Sequence, residues 1–277
     1  MLDRELNEEQ QELEILLFAR TYMYSLFHKL LGGEPDSSVI EVYTSDITRD
    51  VLSEYATESH ELARFVDLIE KLDGEDKKDL ADRAASEYTR LFIGPARPEA
   101  LPWETPYVTE LPIMYSENTL HVRSNYESHG LKAKVNTVIT DDHIATMLGF
   151  LWQLSNKTRD TYYSANLEYL KKLLEDQTNF LDHHILNWVD NFAHASRKAS
   201  TAILYPQLIE ALSYFVKIDR KYLSNVQGWL AENQDLVIKK NDSENNQMIP
   251  AEFMMALEHL GKLTPKFIEE CELVSVK

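Results

Sequence analysis

Histidine lies beside aspartate at two points of this chain, and these residue types bind metal ions or transfer protons. The two clusters are Asp141-Asp142-His143 and Asp182-His183-His184. Consecutive residues of a helix point about 100° apart, so neither cluster can direct three side chains at one ion. His184 also falls on an apolar helical stripe, where a histidine usually serves the core. We therefore predict no bound metal and no cofactor from these clusters.

The spacings that common enzyme classes require are also absent. The sequence contains no Gly-x-x-x-x-Gly-Lys or Gly-x-Gly-x-x-Gly phosphate loop, no His-Glu-x-x-His zinc motif and no Gly-x-Ser-x-Gly elbow. Cys271 is the only cysteine, which excludes an intrachain disulfide and a cysteine-based metal cluster. With no catalytic set in view, we predict that the chain is not an enzyme.

The charge balance is strongly acidic, with 28 Lys and Arg against 46 Asp and Glu, or −18. Such an excess repels phosphate backbones, so we predict no nucleic-acid partner. It favours a cationic partner, although an acidic surface also serves solubility alone, and charge does not decide between the two. The polar, acidic start of the sequence and the lack of an apolar run of about 20 residues predict a cytoplasmic chain without stable membrane insertion.

The apolar periodicity predicts an all-α fold of about ten helices and no strand. Thr140 is predicted to be an N-cap, with Asp141 and Asp142 in the first turn of the helix that follows. Thr178 is predicted to cap a helix that reaches Ala195. The predicted helices otherwise span residues 7–31, 46–56, 61–72, 75–92, 117–128, 205–218, 221–233, 251–260 and 265–273.

Five prolines interrupt the helical pattern near residues 94–115, where we predict an ordered, proline-rich hinge loop. Residues 1–219 are predicted to form one helical domain. Residues 220–277 are predicted to form a partly helical extension with a polar linker near 239–248. A hinge of this kind would permit two chains to exchange halves, so the sequence leaves monomer and dimer open.

Three stretches in order carry a family resemblance: Glu87-Tyr88-Thr89-Arg90-Leu91-Phe92-Ile93-Gly94-Pro95, Leu101-Pro102-Trp103-Glu104-Thr105-Pro106-Tyr107 and Thr140-Asp141-Asp142-His143-Ile144. They resemble the Leu-Phe-x-Gly-Pro, Pro-Trp-(Glu/Gly)-Ser-x-Tyr and Pro-Asp-Asp-His motifs of the TorD/DmsD chaperones, to which the NarJ-type chaperones are related. The resemblance extends from about Leu16 to Ile218. Thr140 stands where the family has proline, and Thr105-Pro106 departs from its Ser-Val-like residues.

The resemblance implies a TorD-like helical domain that acts as a cytoplasmic chaperone. Its partner would be the apo catalytic subunit of a molybdopterin-dependent oxidoreductase, bound together with the twin-arginine leader of the precursor. The chaperone would aid cofactor insertion and prevent premature export.

A twin-arginine leader presents two cations followed by an apolar segment, so its receptor needs apolar walls beside carboxylates. We predict a peptide-binding site that combines the three stretches. Asp142 and His143 match family residues linked to leader binding, whereas Leu91, Phe92 and Asp141 also have purely structural explanations. The predicted walls are Tyr88, Leu91, Phe92, Pro102 and Trp103, and the predicted polar groups are Glu104, Asp141, Asp142 and His143.

Two alternative functions remain at this stage. A NarJ-like chaperone would assemble a molybdoenzyme that is not exported, and its client would lack a cleavable twin-arginine signal. A helical protein that binds nucleotide weakly through Asp141, Asp142 and His143 belongs to another class, and the missing phosphate loop counts against it.

Overall fold

The computed structural model describes residues 2–94, 98, 100–109, 116–134, 139–164, 166–198, 202, 204–233 and 249–276, with side chains from residue 10 onward. These residues form twelve α-helices and one two-stranded sheet, which confirms the predicted all-α class. The helices are α1 (Leu2–Gly32), α2 (Ser37–Tyr43), α3 (Asp46–Ala56), α4 (His60–Asp73), α5 (Lys77–Tyr88), α6 (Thr105–Val108), α7 (Glu117–Ser128), α8 (Ile144–Tyr163), α9 (Leu167–His184), α10 (Val189–Arg197), α11 (Leu204–Glu232) and α12 (Ala251–Lys262).

Helix α1 is the centre of the fold. Every residue from Leu17 to Gly32 is buried, because this part of the helix is covered on all sides. It packs along α8 over much of its length and also contacts α3, α11 and α12. A helix that is apolar around most of its circumference belongs in the core of a large domain, and α1 takes that position.

A buried ion pair crosses the core between α1 and α11. Nε of Arg20 donates to Asp219 Oδ1 at 2.5 Å, and its Nη2 donates to Asp219 Oδ2 at 3.1 Å and to Gln177 at 2.8 Å. Tyr24 donates its hydroxyl proton to the same carboxylate at 2.6 Å. Burial lowers the pKa of Arg20, but the Asp219 carboxylate outweighs that effect and leaves the pKa above its ordinary value. Arg20 therefore stays charged inside the protein.

The region around Thr178 corrects one prediction. Thr178 does not cap a helix; it lies within α9, which begins after Asn166, whose side chain accepts a bond from Tyr169 N at 3.2 Å. The chain then breaks between α9 and α10 instead of running on to Ala195. Trp188 stabilises the break, because its indole donates to the free carbonyl of His184 at 2.7 Å.

Two helices predicted at 205–218 and 221–233 are one continuous helix, α11. The sequence between them contains neither glycine nor proline, and the buried stripe continues through Asp219 to Leu230. The helix therefore crosses residue 219 without interruption, while the division of the chain into 1–219 and 220–277 stays a prediction. The predicted linker near 239–248 lies outside the described residues, as do several residues of the loop near 94–115.

The prediction of a helix at residues 265–273 is wrong. A 3₁₀ turn (Ile268–Cys271) leads into β2 (Leu273–Ser275), which pairs antiparallel with β1 (Leu131–Ala133). Phe267 has a left-handed φ of 75°, which prevents a regular helix from starting at Pro265. The same segment packs against the end of α1: Glu34 N donates to Lys266 O at 2.9 Å, and a Cβ at Gly33 would collide with that carbonyl.

The length and hydropathy of the helices show whether any of them could span a membrane. None of the helices in the described part of the chain is both long and apolar enough to cross a bilayer.

The Asp219→Asn substitution should destabilise the fold strongly, because it leaves the buried Arg20 cation without a counter-charge. We expect the free energy of unfolding in a urea titration to fall by about 3–5 kcal/mol. Asp182→Asn is the matched control, since Asp182 pairs with Arg220 on the surface. The control should lose no more than about 1 kcal/mol. Similar losses for the two variants would contradict this account of the core.

Candidate functional site

The loop at 101–104 and the start of α8 are hydrogen-bonded to each other. Glu104 N donates to Asp142 O at 3.1 Å, and Ile144 N donates to Pro102 O at 2.8 Å. These bonds make an isolated antiparallel bridge between Trp103 and His143. Two of the three sequence stretches that carry the family resemblance thus form one structural unit, which we call the loop–helix clamp (residues 101–105 and 140–144).

Asp142 holds the clamp together. Its Oδ2 accepts bonds from Thr105 N at 2.9 Å and from the Thr105 hydroxyl at 2.6 Å, while its Oδ1 accepts from the Thr140 hydroxyl at 2.5 Å. The residue is only 1% exposed. A buried carboxylate needs such partners, and here all of them come from the protein itself.

The predicted helix start at Thr140 is wrong by three residues. His143 is the N-cap of α8, and its Nδ1 accepts a bond from Ala145 N at 3.2 Å. Because Pro102 O takes the bond from Ile144 N, a tertiary contact sets where the helix begins. Asp141 and Asp142 consequently lie before the helix, not in its first turn. The Asp141 carboxylate accepts bonds from Arg123 Nε at 3.0 Å and Nη2 at 2.7 Å.

His143 and the neighbouring His28 are buried and neutral. Burial lowers the pKa of His143 to about 3, against an opposing effect of Asp142. Burial, helped by Lys29, lowers the pKa of His28 to about 4. His28 Nδ1 bonds to Ala145 O at 2.8 Å, and the Trp103 ring meets the His143 ring edge-on at 5.3 Å. The backbone bridge to His143 therefore fixes the main chain of Trp103, and the His143 ring packs against its indole.

Glu104 begins a chain of polar side chains that leads out to the surface. Its carboxylate is fully buried and accepts bonds from His184 Nδ1 and from Asn187 Nδ2, both at 3.0 Å. His184 Nε2 bonds in turn to Nδ1 of the exposed His121 at 2.7 Å. Burial, with His184 next, lowers the pKa of His121. Sequence reasoning missed His121 and Asn187, because nothing local connects them to Glu104.

No group of three His, Cys, Asp or Glu side chains that could hold a metal ion occurs among the residues that the structure describes. In the two Asp/His clusters discussed above, Asp142, His143 and His184 make hydrogen bonds inside the protein. The arrangement positions a loop and leaves no set of free ligands in the clamp.

The first stretch ends in a π-helical turn (Thr89–Ile93) after α5. Tyr88 and Phe92 point into the core, with rings 5.0 Å apart, and Phe92 also meets Tyr205 at 5.3 Å. Phe192 connects this aromatic cluster to the loop, since its ring lies 6.3 Å from Phe92 and 6.4 Å from Tyr107. The three stretches therefore form one connected region.

Eight of the nine predicted site residues are buried, and Trp103 alone is half-buried. In this conformation Trp103 is the one residue of the nine whose side chain is partly exposed to solvent. Two exposed apolar residues were not among the nine predicted: Ile93 of the first stretch, 47% exposed, and Val108, which follows the second stretch and is 36% exposed. The role of the nine residues in peptide binding stays a prediction.

Acid should destabilise the fold through these histidines. Unfolded histidine binds a proton below about pH 6.5, whereas His28 and His143 stay neutral in the folded chain until the pH approaches 4. The unfolded state therefore gains protons first, and stability falls as the pH drops from 7 to 5, by about 2 kcal/mol for each histidine.

Urea titrations of the wild type and His143→Asn at the two pH values measure this effect. Asparagine is a good N-cap and does not titrate, so the variant should lose about 2 kcal/mol less than the wild type between pH 7 and 5. An identical pH dependence for the two proteins would show that His143 is not held neutral.

Comparison with known proteins agrees with this architecture. The family model described as nitrate reductase delta subunit matches residues 50–194. A chaperone protein TorD of Vibrio cholerae serotype O1 is 27% identical over 219 residues, which are 78% of this chain and 97% of that protein. The TorD chaperone of Vibrio vulnificus is 23% identical over 77% of this chain and 98% of its own length, and that of Aliivibrio fischeri is 25% identical over 74% and 94%. Since the family model covers more than half of the chain, this protein belongs to the nitrate reductase delta subunit family of TorD, DmsD and NarJ maturation chaperones and is not an enzyme.

Proposed function

We propose that the protein is a cytoplasmic chaperone that binds the precursor of a molybdopterin-dependent oxidoreductase together with its twin-arginine leader. It aids cofactor insertion into the apo catalytic subunit and delays export until insertion is complete. The observation that carries this proposal is the loop–helix clamp, which presents a half-buried tryptophan in a chain whose relatives are TorD chaperones.

The clamp suits recognition because Trp103 is ordered before any peptide arrives. Its neighbours on both sides are hydrogen-bonded to residues at the start of α8, and its ring rests on His143. An anchor that is already fixed loses little conformational entropy on binding. Aromatic anchors of this kind usually contribute a large part of the affinity of an interface.

Magnitudes favour the apolar part of the leader as the main source of affinity. A micromolar complex needs about 8 kcal/mol. An exposed pair of arginine and carboxylate contributes only about 0.2–1 kcal/mol. The two arginines therefore select and orient the peptide, and the segment that follows them binds.

The buried carboxylates are poor partners for those arginines. Asp141 is already paired with Arg123, and Asp142 and Glu104 are bonded to internal donors. The attraction of a cationic leader must come from exposed carboxylates and from the net charge of −18. The same internal bonding removes the groups that a nucleotide site at Asp141, Asp142 and His143 would need.

A NarJ-like chaperone is the second candidate, and the description of the matched family as nitrate reductase delta subunit favours it. Such a chaperone would use the same clamp for a client that remains in the cytoplasm. The N-terminus of the client distinguishes the two functions, since only the exported client carries a twin-arginine leader.

The Trp103→Ala variant should weaken leader binding more than Asp141→Asn does. The first substitution removes the half-buried aromatic anchor and should raise the Kd roughly tenfold or more. The second changes a carboxylate that Arg123 already neutralises. Calorimetric titration with a leader peptide measures both values, and urea titration checks that each variant is folded. The reverse ranking would contradict this division of labour.

Affinity capture of the tagged chain from its own host, grown anaerobically, should recover the catalytic subunit of a molybdopterin oxidoreductase. Mass spectrometry of its N-terminus decides between the candidates. A retained leader supports the proposed function, and a subunit without a leader supports the NarJ-like alternative. Recovery of no oxidoreductase under several growth conditions would reject both.

A further inference from the structure

A groove of about 520 Å³ lies between α4, α5 and the start of α11, away from the loop–helix clamp. Its apolar walls come from three helices and include Leu68, Leu72, Leu80, Ala84 and Leu204. None of its lining residues belongs to the clamp. Arg90 also lines the groove, and it lies in the π-helical turn that forms part of the first family stretch.

An acidic depression of about 500 Å³ adjoins this groove at the N-terminal end of α5. The two share Asp82 and Arg83. Arg83 is paired with Glu75, and Asp76 caps α5 by accepting bonds from the amides of residues 78 and 79.

Asp79 and Asp82 are the carboxylates of the depression that remain available. Both are exposed, and within the described part of the chain neither side chain accepts a hydrogen bond. They stand three residues apart on α5, so they share a face and their Cβ atoms lie about 5–6 Å from each other.

We propose that this groove is a second contact site for the client peptide, one that holds apolar residues while Asp79 and Asp82 receive the two cations that precede them. The inference rests on the proposed function, since it takes the leader as the occupant. Charge complementarity carries it: along α5 the acidic depression comes first and the apolar groove follows, which is the order of cations and apolar residues in the leader.

The dimensions allow a short segment of peptide. The lining residues of α5 from Leu80 to Glu87 span about 10 Å at 1.5 Å per residue. That length accommodates about three residues of extended peptide. The groove therefore takes only the beginning of the apolar segment.

Fluorescence anisotropy of a labelled peptide, with two arginines followed by an apolar segment, tests this site on the full chain. The double variant Asp79→Asn/Asp82→Asn should raise the Kd about fivefold at low salt. Ser86→Trp should raise it about tenfold or more, because the exposed Ser86 lines the groove and an indole there would occupy it. Urea titration confirms that each variant is folded.

Asp67→Asn/Glu70→Gln is the matched control. It also removes two negative charges, but from exposed positions of α4 that do not line the groove. It should change the Kd less than twofold. A second peptide with both arginines replaced by glutamine should bind wild type and Asp79→Asn/Asp82→Asn equally.

The outcomes separate the two proposals. If the wild type binds the peptide, but the groove variants bind it as tightly as the control does, the groove is rejected and the chaperone function stands. If the wild type fails to bind the twin-arginine peptide at all, leader binding is rejected and the groove inference falls with it.

Discussion

The Asp142 carboxylate is the contact on which the candidate site depends. It takes three hydrogen bonds from Thr105 and Thr140, and its own backbone carbonyl accepts the amide proton of Glu104. Removing the carboxylate would leave a buried amide without a partner and would free the loop from α8. A residue of the family motif can therefore be essential to binding without touching the ligand, because it determines where Trp103 stands.

The buried charges of the protein share this inward orientation. Arg20 and Asp219 neutralise each other between α1 and α11, and Glu104 is bonded to His184 at the end of α9. A carboxylate whose charge is compensated inside the protein exerts little force on a ligand outside it. The proposed recruitment of a cationic leader therefore rests on surface carboxylates, such as the exposed Asp79 and Asp82, and not on those of the motifs.

Local signals in the sequence account for the elements that were predicted well. The bounds of α3 and α7 were correct because Ser45 and Ser116 cap them through their own side chains. Tertiary contacts determined the rest. The start of α8 depends on a carbonyl of Pro102, and β2 forms only because β1 lies beside it, more than a hundred residues earlier. Single-sequence patterns carry no trace of such partners.

The site shows the same limit more sharply. The resemblance identified the stretches that come together, but it could not say which of their side chains face outward. The partners that bury Asp142 and Glu104 lie 37 and 80 residues away in sequence. The oxygens of a carboxylate accept hydrogen bonds either from water or from the protein. Residues distant in sequence therefore decide whether the carboxylate faces a ligand or holds the fold together. In this chain the clamp uses its carboxylates internally, and Trp103 is the one predicted site residue that it leaves partly exposed.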